Sequence, residues 1–308
     1  MEIFFSTLII VVSIVVMSKG AVLLVDSASR IAKKLGISEL IIGLTVVALG
    51  TSAPEFSVTI LSSFRGMSDI SVGNIVGSNI FNLGFILGGT AIIRSLKTSN
   101  KVVYRDGGFL LFGTLLLTYF LWDLNLSQIE GIALFTLLCI YLGYLFWTKE
   151  VIEHEEVADK YNGYDPLLLL FSFTMVIVSS HFLVDSATSI AKNIGVSDWV
   201  IGATIIAAGT SAPEFATPMA AAIRGKYGIS VGNLIGSDIF NMYGVLGIAS
   251  IMKELPVDIG ARTNLIMLVT MVILALVFMR TGWRLSRREG VVLVLIGVGR
   301  WIYSFMDI

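Results

Sequence analysis

The sequence predicts an all-α, polytopic membrane protein with ten transmembrane helices in two inverted five-helix repeats. Three observations carry that expectation: an apolar composition, ten apolar runs of spanning length, and a chain that matches itself at an offset of 159 residues. Of the 308 residues 56% are hydrophobic and 14% charged, with a mean hydropathy of +0.88, outside the range of ordinary soluble domains. A net charge of −1 and the lack of a dense basic run exclude a broad electrostatic footprint for nucleic acid. The single cysteine, Cys139, excludes an intramolecular disulfide and is expected to be a small buried apolar group. Met1-Glu2 opens without a basic region or a cleavage signature, so the first apolar run reads as a retained span.

The runs fall at about 3 to 25, 39 to 64, 70 to 93, 103 to 123, 127 to 148, 166 to 187, 198 to 223, 229 to 252, 262 to 280 and 289 to 305. Each is close to the roughly 20 residues that cross a hydrocarbon core of about 30 Å. A short acidic connector, 149 to 164, separates a first half, 1 to 148, from a second, 165 to 308. It reads as a solvated cytoplasmic linker. Sliding the chain by 159 positions aligns Asp26 through Asn82 with Asp185 through Asn241 without a gap, and 31 of those 57 pairs are identical. Five spans per half is an odd number, so the second half enters the membrane from the opposite side. The basic residues flanking the spans favour both termini outside the cell membrane.

Within the repeat, Gly50-Thr51-Ser52-Ala53-Pro54-Glu55 returns letter for letter as Gly209-Thr210-Ser211-Ala212-Pro213-Glu214. Ser52 lies midway between Glu39 and Arg65, and Ser211 midway between Asp198 and Arg224, which puts both hexapeptides near mid-membrane. A glutamate at that depth is costly and marks a functional site. The alternative, a pair of structural acids, leaves the surrounding hydroxyls unexplained. Proline removes a backbone donor, so a carbonyl near Ala48 or Ala207 is expected to be released. On a helix Thr51, Ser52 and Glu55 share a face. A second motif, Gly73-Asn74-Ile75-Val76-Gly77-Ser78-Asn79-Ile80-Phe81-Asn82, recurs as Gly232-Asn233-Leu234-Ile235-Gly236-Ser237-Asp238-Ile239-Phe240-Asn241. It sets Ser78 with Asn82, and Ser237 with Asn241, four residues apart on one face, while its glycines read as packing positions. The donors contain no sulfur or imidazole. Two carboxylates with hydroxyl and amide oxygens suit a hard cation, Ca²⁺ or Na⁺, and mutually exclusive occupancy would give exchange rather than leak.

These paired motifs resemble the alpha repeats of the sodium/calcium exchanger branch of the cation/calcium antiporter superfamily. The resemblance implies a secondary active antiporter exchanging Na⁺ for Ca²⁺ by alternating access. It implies as ligands Thr51, Ser52, Glu55, Ser78, Asn82, Thr210, Ser211, Glu214, Ser237 and Asn241, with the carbonyls of Ala48 and Ala207. It further implies that the first and sixth helices slide across the other eight. Some members, potassium-dependent exchangers among them, carry aspartate where this chain has Asn241; here the extra acid is Asp238. Asp238 stands as a further candidate, either facing a neighbouring helix or sitting at the edge of the site.

Other readings are a proton- or potassium-linked calcium exchanger and, from a different class, a cation channel. A channel normally needs a subunit ring or an open path, whereas inverted repeats with broken helices point to alternating access. No enzyme constellation falls on matching spans, and no cofactor is expected beside the transported ions. Expected partners are those ions and membrane lipids, with no protein partner implied.

Overall fold

Length and polarity together decide how each apolar run is realised. The computed structural model describes residues 2–148, 161–193 and 211–306, and these are mostly helical. The first helix, α1 (Glu2–Leu35), is longer than the expected run of 3 to 25. At 1.5 Å per residue it measures about 50 Å, more than a bilayer core, because its polar last turns continue as helix. The second run is two helices, α2 (Glu39–Thr51) and α3 (Ala53–Phe64), set at 51° to each other. Next come α4 (Ser68–Ile93), strand β1 (Leu96–Lys97), α5 (101–120), strand β2 (Asn125–Leu126) and α6 (Gln128–Thr148).

The second half supplies α7 (Asp165–Asn193), α8 (Ala212–Ile223), α9 (Tyr227–Met252) and strand β3 (Leu255–Pro256). It ends with α10 (Gly260–Arg280), strand β4 (Arg284–Leu285) and α11 (Arg287–Met306). Most of the expected linker, and residues 198 to 210 of the expected seventh span, lie outside the described residues. Among the described residues, six helices are long and apolar enough to cross a membrane, or seven with the bent α2–α3 pair, which makes the protein multi-pass. Helices α5 and α11 occupy two more of the expected places and are not among those six.

Local signals fix the ends of these helices in both halves. Helices α6 and α11 each begin with a capping box: the Ser127 and Ser286 backbone amides donate to Glu130 and Glu289 at 2.8 Å. Helices α3 and α8 end at Gly66 and Gly225, whose φ of +74° and +77° only glycine adopts cheaply. There Met67 N–H returns to the Ser62 carbonyl and Lys226 N–H to that of Ala221, covering carbonyls the helix leaves open. The four strands join the halves crosswise, with Leu96 opposite Leu285 and Leu126 opposite Leu255.

Packing separates a large core from a small one. The large core runs through α4, α5, α6, α9 and α10. The small one gathers Ala21, Leu24, Val25, Ala28 and Ala32 of α1 with Leu169 and Val176 of α7 and Ile41 of α2. Helices α1 and α7 lie antiparallel, since Gly20 meets Val176 and Arg30 meets Asp165. Cys139, expected to be buried, is exposed; the buried stripe of α6 runs through Leu134, Leu138, Tyr141 and Leu145 and leaves position 139 on the outer face.

Candidate ion-binding site

The hexapeptide breaks its helix, and the break is what assembles the site. Ser52 has ψ near 8°, and α3 restarts at Ala53 with Pro54 in its first turn, where a missing N–H costs no hydrogen bond. Glu55 therefore sits in the first turn of α3 and Glu214 in that of α8, at helix ends whose free N–H groups favour negative charge. Both glutamates are buried, at 0% and 1% exposure.

The serines of the two halves exchange partners. The Ser52 hydroxyl donates to Glu214 Oε1 at 3.0 Å, and the Ser211 hydroxyl donates to Glu55 Oε1 at 3.3 Å. One face of one helix therefore does not hold both groups, as simple helical spacing suggests; the 51° bend between α2 and α3 turns Ser52 to the opposite repeat. Thr51 Oγ1 lies 3.4 Å from Ser237 Oγ and accepts from Asn233 Nδ2 at 2.9 Å.

A belt of amides adjoins the glutamates. Asn82 Nδ2 donates to Asp238 Oδ1 at 3.0 Å, and Asn241 Nδ2 donates to Asn79 Oδ1 at 2.9 Å. These bonds are related by the 159-residue offset, so Asp238 occupies the place that Asn79 holds in the first half. Asn79 Nδ2 in turn donates to the Asp238 carbonyl at 3.1 Å. Asp238 thus faces a neighbouring helix, α4, and touches an expected ligand there, Asn82. Wide π-type turns start at Asn82 and at Phe240, beside Asn241, in the manner often found at functional positions.

Of the buried oxygens without a hydrogen-bond partner among the described residues, six belong to this centre: Glu55 Oε2, Glu214 Oε2, Asp238 Oδ2, Asn82 Oδ1, Asn241 Oδ1 and Asn233 Oδ1. Unsatisfied buried acceptors are costly, and a cation would satisfy several together. Among the described residues no three His, Cys, Asp or Glu side chains gather tightly, so the donor set is a glutamate pair supplemented by hydroxyls and amides. Ser78 is also buried. Thr210 and Ala207 lie outside the described residues. The Ala48 carbonyl is not released as expected: it accepts from Ser52 N–H at 3.0 Å and from the Thr51 hydroxyl at 3.2 Å. The N–H that Pro54 lacks would have served the carbonyl four residues back, at Gly50.

Asn233 is the contact the sequence reading missed. It belongs to the repeated Gly-Asn pair of the second motif, and that recurrence was the available signal. Of the motif glycines, Gly232 and Gly236 pack as expected: a Cβ there would lie 2.7 Å from the Leu40 carbonyl and 2.6 Å from that of Leu44. Gly73 and Gly77 meet no described atom within 4 Å.

The features on hand define a multi-pass helical membrane protein with a buried, acidic, oxygen-lined centre built from two copies of one motif. The chain belongs to the sodium/calcium exchanger protein family, whose pattern matches residues 5–147 and 164–299. It is 34% identical over 313 residues to the putative antiporter CaxA of Alkalimonas amylolytica, covering 96% of this chain and 97% of that protein. It is 33% identical over 348 residues to the sodium/calcium exchanger MaX1 of Methanosarcina acetivorans, covering 97% and 98%. A solved structure of the sodium-calcium exchanger NCX_Mj superposes with a TM-score of 0.85 at 29% identity, over 96% of this chain and 97% of that one.

Proposed function

We propose that this protein is a secondary active antiporter that exchanges Na⁺ for Ca²⁺ across the cell membrane by alternating access. The observation that carries this is the reciprocal pairing of Ser52 with Glu214 and Ser211 with Glu55, which leaves one oxygen of each buried glutamate unpartnered among the described residues. Oxygen donors around two carboxylates match the preference of Ca²⁺ for hard ligands, and Na⁺ accepts the same set. Charge limits co-occupancy, because two glutamates neutralise one divalent ion or its monovalent replacements. Empty and doubly loaded states are disfavoured, which couples the two fluxes.

The architecture we infer has ten transmembrane helices in two inverted halves, 1–148 and 165–308, joined by the linker 149–164, with both termini outside. The ligands would be Thr51, Ser52, Glu55, Ser78, Asn82, Ser211, Glu214, Ser237 and Asn241, with Thr210 and the Ala207 carbonyl entering by repeat symmetry. The Ala48 carbonyl would join them once the Thr51 hydroxyl turns away. Family membership and the similarity to NCX_Mj support this reading.

The test is ⁴⁵Ca²⁺ uptake into proteoliposomes under imposed Na⁺, K⁺ or pH gradients. Uptake should require an outward Na⁺ gradient and fall at least 100-fold in Glu55→Gln and in Glu214→Gln. Calcium entry without any counter-ion would make the protein a channel. Uptake driven by the pH or K⁺ gradient alone would replace sodium as the coupling ion.

A further inference from the structure

One end of α1 is gripped by two ion pairs, and a third joins its neighbours beside it. Asp26 takes Arg224, which follows α8, at 2.7 Å. Arg30 reaches Asp165 at the start of α7 at 2.7 Å. Glu39, at the start of α2, receives both Lys226 at 2.8 Å and the hydroxyl of Ser29 on α1. The last turns of α1 are thereby tied to α2, to α7 and to the loop between α8 and α9.

Repeat symmetry makes an independent statement about these pairs. Asp26 and Arg224 are related by the 159-residue offset to Asp185 and Arg65, and both identities are kept. The related pair is not formed. The Asp185 side chain is 62% exposed and turned to His181 on its own helix at 3.3 Å, and Arg65 is exposed and makes no ion pair among the described residues. One copy of a two-copy contact is closed while the other is open. The remaining pairs have no counterparts: the offset takes Lys226 to Met67, Arg30 to Ser189 and Asp165 to Ser6. The helices concerned are also those of the small core, packed apart from the main one, as a body that shifts against the rest requires.

We propose that Asp26–Arg224 and Asp185–Arg65 are the two halves of a reciprocal latch, one closing each side of the protein in turn. Formation of one pair accompanies opening of the other. The Lys226–Glu39 and Arg30–Asp165 pairs exist on one side only, so they bias the resting protein towards closure there. The latch rests on the alternating-access reading, and it adds named residues that hold each end state without touching the ion. A partly exposed pair is worth up to about fivefold in a two-state ratio, enough to shift the balance of access without abolishing it.

The experiment reads access directly and needs no transport. In a Cys139→Ser background a reporter, Ser27→Cys, is placed beside Asp26, where the native side chain is 0% exposed. Its rate of labelling by a membrane-impermeant maleimide is then followed in proteoliposomes. Arg224→Gln should raise the rate about fivefold, and Arg65→Gln should lower it. Exchanging the charges, Asp26→Arg with Arg224→Asp, should return it to the parent value, which separates the latch from general loosening. An unchanged rate in either single variant, a rise in both, or no recovery on charge exchange would overturn the proposal. Calcium flux in the same vesicles reports separately on exchange, so a shift in labelling without Na⁺-driven flux would sink the Na⁺ coupling and leave alternating access and the latch standing.

Discussion

Each serine–glutamate bond of the centre joins the two halves, so a single hydroxyl serves both geometry and charge. Removing the Ser52 or the Ser211 hydroxyl takes one hydrogen bond from a buried carboxyl group, a loss of about 1.5 kcal/mol or more. Ser52→Ala and Ser211→Ala should each weaken Ca²⁺ binding roughly tenfold by isothermal titration. Ser57→Ala, whose hydroxyl only returns to the Ala53 carbonyl on an exposed face, should leave binding unchanged. Asp238→Asn keeps an acceptor for Asn82 Nδ2 but removes a carboxyl from the belt. It should change the ratio of Na⁺ to Ca²⁺ affinity several-fold while leaving the fold intact, as judged by circular dichroism. The identity of these residues was legible because the motifs repeat. Their partners were not, because the bend at Ser52 redirects side chains in a way that straight helical spacing does not anticipate.

Helix ends and crossings show the same division between what a sequence declares and what packing adds. The capping boxes at Ser127 and Ser286 are each closed within four residues, and Ser286→Ala should cost about 1 kcal/mol, visible as a lower melting temperature in detergent. The close crossing of α9 over α2 is plain only in its glycines. At Gly236 an added methyl would lie 2.6 Å from the Leu44 carbonyl oxygen and 2.7 Å from the Leu44 Cα. Backbone cannot yield as a side chain can, so Gly236→Ala should cost about 1–3 kcal/mol and broaden the thermal transition. Gly143→Ala, where nothing lies within 4 Å, should be neutral or stabilising. Hydropathy located the helical runs well but misplaced their ends. It stopped α1 before Asp26, although helical hydrogen bonding carries α1 on to Leu35.

Across the whole molecule, residues identical in both copies come to lie in surroundings that are not identical. Arg65 and Arg224 are the same residue in the same motif, yet only Arg224 is paired among the described residues, a difference of conformation that no sequence comparison registers. The crosswise strands bind the halves on top of this, Leu96 to Leu285 and Leu126 to Leu255. Severing the chain within 149–160 and co-expressing the two pieces should restore Na⁺-driven calcium uptake, whereas either piece alone should be inactive and rapidly degraded. The strands also bear on biosynthesis. β1 and β2 emerge from the ribosome long before β3 and β4 exist, so the nascent first half enters the bilayer with unsatisfied edges at both ends. Those edges are covered only when the last quarter of the chain arrives.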